Sequence, residues 1–72
     1  MTEHPIPAQR LPQALYTVED ATQALRLSRA ELYEQMRAGR LRFVKVGRAR
    51  RIPASAITEF VALLEKEAEL AA

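Results

Sequence analysis

A chain of 72 residues buries only roughly 60% of the surface that its unfolded form exposes, which argues against a deep pocket and so against most enzymes. An apolar fraction of 49% suffices for folding, the lack of cysteine excludes disulfides and cysteine-based zinc, and no apolar run approaches the ~20 residues of a membrane span. The net charge of +2 conceals a segregation into −2 over residues 1–25, +7 over residues 26–51 and −3 over residues 52–72.

In chain order, residues 1–14 carry Pro5, Pro7 and Pro12 without apolar periodicity and are expected to form a flexible tail. His4 stands alone in it, without the partners a metal site needs, and Arg10 is within reach of a polyanion's backbone. The start Met1-Thr2-Glu3-His4 does not resemble a signal peptide, so a cytoplasmic, nucleoid-associated location is expected. The folded domain is expected over residues 15–70. Leu15-Tyr16 is an apolar pair able to add a strand to a small sheet. Thr17 then suits a helix N-cap, with Asp20 three residues on. Val18, Ala21 and Leu25 give a first helix over about 18–26 its inward face.

Ser28 and Glu31 form a capping box, which starts a second helix two residues after the first ends. Leu32 and Met36 make its buried stripe, and Gly39 supplies the left-handed residue that ends it. The period then changes. Leu41, Phe43, Val44 and Val46 are interleaved with Arg42 and Lys45, and Arg51-Ile52 resumes the pattern after Gly47, which predicts a hairpin whose turn contains Gly47-Arg48-Ala49-Arg50. Pro53 stops the strand and suits the first turn of a third helix. Ile57, Phe60, Val61 and Leu64 recur at i, i+3, i+4 and i+7, so that helix is amphipathic to about residue 69, with Leu63 and Leu70 off its apolar stripe. The fold class is therefore mainly α with a small β-hairpin.

The middle stretch sets nine Lys or Arg against Glu31 and Glu34. Charge alone fits a solvated basic surface as well as a polyanion-binding face. The order of elements favours the second reading. Two short helices joined by a tight turn can brace the second one in a DNA major groove ~12 Å wide. With Leu32 and Met36 inward, its outward residues are Arg29, Ala30, Tyr33, Glu34 and Arg37, preceded by Ser28. Arg29 can fork onto guanine or hold a phosphate, and Ala30 can touch a thymine methyl. Tyr33 can meet the backbone or belong half to the core. Glu34 can accept from a cytosine amino group or face solvent. The hairpin offers Lys45, Arg48, Ala49, Arg50 and Arg51 as a basic wing, with Arg51 also able to pair with an acid on a helix. Arg40 and Arg42 extend the tract, and Thr17 at the head of the first helix can meet backbone.

The runs Tyr16-Thr17-Val18-Glu19-Asp20-Ala21, Leu27-Ser28-Arg29-Ala30-Glu31-Leu32-Tyr33, Arg37-Ala38-Gly39-Arg40-Leu41 and Val46-Gly47-Arg48-Ala49-Arg50-Arg51-Ile52-Pro53 occur in that order. Together they resemble the excisionase-like, MerR-related winged helix-turn-helix domains over about residues 15–64. The resemblance implies three helices with a two- or three-stranded antiparallel wing, a recognition helix at 28–38 and a wing at 45–51. It further implies head-to-tail protomers on repeated DNA sites, an integrase as partner, and a bent complex that steers recombination toward excision. By position, the implied contacts are Arg29, Ala30, Tyr33, Arg37, Arg48 and Arg50. Glu34 and Ala49 depart from the bulkier or more basic residues that relatives often carry there.

The leading expectation is an architectural double-stranded DNA binder, a recombination directionality factor, without enzymatic step, cofactor, small-molecule ligand or membrane. A small MerR-like transcriptional regulator is the alternative. The short third helix and the end of the chain at residue 72 weigh against it. A protein-docking role for the acid-rich third helix, toward a basic partner, can coexist with either.

Overall fold

A computed structural model describes residues 13–71. Most of the tail expected over 1–14, including His4 and Arg10, lies outside the described residues. The elements run β1 (Leu15–Tyr16), α1 (Val18–Leu25), α2 (Arg29–Arg37), β2 (Val44–Val46), β3 (Ala49–Pro53) and α3 (Ala54–Ala71). The expected three helices and small antiparallel sheet are present, and the sheet has three strands in the order β1-β3-β2.

Local chemistry explains the two short helices. Thr17 accepts from the Asp20 amide at 2.9 Å while the Asp20 carboxylate accepts from the Thr17 amide at 3.2 Å, a complete capping box. α1 ends at Leu25, one residue earlier than the pattern predicts. Arg26 there takes a left-handed conformation (φ 58°, ψ 40°), and the Arg26 and Leu27 amides both close on the Thr22 carbonyl. Ser28 and Glu31 form the expected second box, at 3.1 and 2.9 Å. This back-to-back capping makes the inter-helix turn tight. Val18 and Ala21 of α1 and Leu32 and Met36 of α2 point into one core with Leu41, Ile52, Ala56 and Phe60.

Four expectations need correction. The extended run does not begin at Leu41: after Gly39 (φ 78°) the chain turns back, the Arg40 and Leu41 amides bond to the Gln35 carbonyl, and Leu41 drops into the core. Only Val44–Val46 then remain as strand. The hairpin turn is shorter than predicted, because Val46 pairs with Ala49 and Lys45 with Arg50, which leaves Gly47-Arg48 as a two-residue loop. Gly47 (φ 66°) occupies the first central position, where such loops need a positive φ.

Pro53, third, belongs to β3 opposite Leu15 and not to the helix, and the Ala54 amide bonds to the Ala14 carbonyl at 3.0 Å. α3 is also rotated relative to the predicted stripe. Its buried residues are Ala56 and Phe60, with Ile57 and Leu63 half-buried, whereas Val61 and Leu64 remain 37% and 38% exposed. Ala56 and Phe60, four residues apart, thus mark the face that α3 turns into the core. No described helix is long and apolar enough to cross a membrane.

Candidate nucleic-acid interface

The first turn of α1, the outward side of α2 and the β2–β3 wing surround one open groove. Six of the expected residues line it: Thr17, Arg29, Tyr33, Arg48, Arg50 and Arg51. They come from three parts of the chain, and the tight turn after α1 and the two-residue wing loop bring them together.

Tyr33 organises the groove. Its ring is half-buried against the core. The Arg50 guanidinium lies 5.1 Å from the Tyr33 ring centre and 4.9 Å from that of Phe43, so it is held between two aromatic faces. The Arg29 guanidinium lies 5.6 Å from the same tyrosine ring and donates to its hydroxyl at 3.4 Å. A third contact joins Arg29 to Glu19 of α1, at 3.5 Å. Tyr33 thus links α2 to the wing and orients two arginines without neutralising either. Arg51 donates to the Arg50 carbonyl at 2.9 Å instead of pairing with a helix acid. Among the described residues no carboxylate lies within ion-pair distance of Lys45, Arg48, Arg50 or Arg51.

The other expected residues sit around this groove. The Ser28 hydroxyl is occupied by its cap, and Ala30 is exposed in the first turn of α2. Glu34 and Arg37 form a loose exposed pair at 3.9 Å, and Arg37 borders a second depression with Tyr33, Met36, Phe43 and Arg50. Lys45 is exposed on β2, and Ala49 is half-buried at the start of β3.

Arg40 and Arg42 face elsewhere. Arg40 donates to Gln35 and makes a two-pronged pair with Glu67, one prong at 2.7 Å. Arg42 grips Glu59 at 2.9 and 3.1 Å and reaches Ser55. Hydrogen bonds from these arginines hold the Glu67 and Glu59 carboxyls below their ordinary range. The tract is therefore divided: α3 takes two cations, and the wing and α2 keep the rest.

Two residues outside the expected set also matter here. Glu19 lines the groove, and exposed Arg26 borders a neighbouring depression with Thr22, Gln23, Leu27, Ser28 and Arg29. Arg26 was visible as one charge of the basic tract, but no glycine or asparagine signalled its left-handed backbone.

Residues 15–62 match the model of the family described as helix-turn-helix domain. The chain belongs to the helix-turn-helix domain family. In this domain α1 and α2 are the helix-turn-helix pair, and the β2–β3 hairpin is the wing. The domain is also similar to a probable excisionase from Saccharopolyspora erythraea, at 43% identity over 58 residues. That alignment covers 79% of this chain and 59% of the relative, so the chain spans less than two thirds of the relative's length. No solved structure matches the helix-turn-helix chain.

Proposed function

We propose that this domain binds double-stranded DNA without catalysing a reaction, with α2 in the major groove and the wing against the adjoining backbone. The observation that carries the reading is the groove itself. Arg29, Arg48, Arg50 and Arg51 converge on one concave surface beside the outward face of α2, while α3 removes Arg40 and Arg42 from it. Arg48, Arg50 and Arg51 serve phosphates, together with the Thr17 hydroxyl and Lys45. Arg29, Ala30, Tyr33 and Arg37 face base edges or the groove wall, with Ser28 and Glu34 beside them and Ala49 keeping the wing strand close.

The finer role we propose is that of an excisionase-type architectural factor. Protomers occupy repeated sites head to tail, bend the duplex and direct an integrase toward excision. The similarity to a probable excisionase supports this role, as does the exposed acidic end of α3 as a surface for a basic protein partner. Regulation of a promoter is the alternative outcome.

The test is a salt titration of binding to random duplex DNA, for the wild type and for Arg48→Ala combined with Arg50→Ala. The log–log slope should correspond to about four to six phosphates at ~0.9 each, and the double variant should lose about two of them. No binding at low salt would remove the DNA reading. Binding to selected sites without a bend at saturation would remove the architectural role and leave the regulator.

A further inference from the structure

Among the described residues, Glu19 is the one carboxylate lining a groove that also holds Arg29, Arg48, Arg50 and Arg51. A surface selected only for affinity toward a polyanion gains nothing from an acid there. The Glu19 carboxylate touches Arg29, the cation nearest the head of α2, at 3.5 Å. Both side chains are well exposed, 72% for Glu19 and 53% for Arg29, so the pair is open to competition. The other side of Arg29 rests on the Tyr33 ring and hydroxyl. Arg29 is thus parked between an acid and an aromatic, both on the DNA-facing surface.

We propose that Glu19 is a specificity-determining residue: it competes with phosphate for Arg29, and so suppresses binding wherever Arg29 has no base to read. The inference rests on the DNA-binding reading above. At an arbitrary sequence Arg29 can offer its charge only to a phosphate, and Glu19 already holds that charge. At the right sequence a two-pronged bond to a base replaces the loose pair, which a single phosphate contact does less well. Specificity is a difference between two affinities, and Glu19 enlarges it by lowering the unspecific one.

The experiment compares wild type, Glu19→Gln and Glu65→Gln on a random-sequence duplex and on a duplex selected with the wild type. Glu65 is an exposed acid of α3 with no hydrogen bond or ion pair among the described residues, so its replacement changes net charge equally but far from the groove. Glu19→Gln should raise random-duplex affinity by roughly threefold to tenfold, the scale of one surface charge. Its salt slope should steepen by about 0.9, one further phosphate neutralised. Affinity for the selected duplex should rise less, so the ratio of the two falls. Glu65→Gln should leave slope and ratio close to wild type.

Equal effects from both variants would reduce Glu19 to net charge and overturn the inference. An unchanged slope and ratio in Glu19→Gln would overturn it as well. Glu19 is also a first-turn acid of α1, so thermal midpoints are measured in parallel. A lowered midpoint with unchanged slope would assign it that helix role alone. Absence of binding by the wild type on either duplex would fail the DNA reading itself, a result distinct from all of these.

Discussion

Arg26 should be replaceable by glycine with a gain in stability. Its backbone sits at φ 58° and ψ 40°, the left-handed region, where the Cβ of an L-residue crowds the following carbonyl at a cost of about 1–2 kcal/mol. Glycine avoids that crowding but enlarges the freedom of the unfolded chain, which returns about 0.5–1 kcal/mol. The contacts that define the turn are the Arg26 and Leu27 amides on the Thr22 carbonyl, and glycine keeps both. The net expectation is a gain of about 0.5–1 kcal/mol, or roughly 2–8 °C in thermal midpoint for a domain of this size. Circular dichroism melts of wild type, Arg26→Gly and Arg26→Ala decide it. Alanine keeps the Cβ and should gain nothing. The reasoning fails if glycine gives no gain, or if alanine gives as much.

The capping box at the head of α2 predicts that Ser28→Ala costs about 1 kcal/mol, read by urea denaturation; an unchanged midpoint would mean that the cap contributes nothing. Arg50→Lys keeps the wing's charge but loses its place between Phe43 and Tyr33, so the salt slope should hold while amide exchange in the wing quickens. Equal exchange in both proteins would refute the aromatic anchoring. Acid should destabilise the fold through Glu59 and Glu67, whose carboxyls are held below the ordinary 4.5 by hydrogen bonds from Arg42 and Arg40. Asp20, held below 3.8 by the Thr17 amide and hydroxyl, adds to this. A depressed folded value means stability fully present above the unfolded value and lost as pH falls through the folded one. The thermal midpoint should therefore be level above about pH 5 and fall below about pH 4.5, less steeply in Glu67→Gln. A midpoint constant down to about pH 3 would contradict it.

What was legible in the sequence was what is settled within a few residues. Ser28 and Glu31 cap α2 by contacts three residues apart, and Leu32 and Met36 are buried because one helix face must be. Six candidate residues, Tyr33 among them, meet in one groove because helix order and wing position follow from those local signals. The rest depended on packing between distant segments. Arg40 and Arg42 read as part of a basic surface, yet their partners stand 27 and 17 residues away on α3. The rotation of α3 depended on its packing against the rest of the core, and periodicity alone could not separate the Phe60 side from the Val61 side. Leu41 looked like a strand residue because apolar alternation carries no record of the reversal that Gly39 permits.

The clamps from α3 to the α2–β2 connection also have an electrical consequence. By neutralising Arg40 and Arg42 where they stand, Glu67 and Glu59 leave net positive charge on the wing side and a smaller net negative charge, from Glu65 and Glu69 against Lys66, on the far end of the helix. The molecule is then a dipole with little net charge. On the proposed DNA-binding reading, a duplex attracts such a body weakly as a whole but exerts a torque on it, turning the wing inward before the surfaces touch. Added salt would shorten the range over which that torque acts, so association would slow through misoriented encounters even where the equilibrium contacts survive.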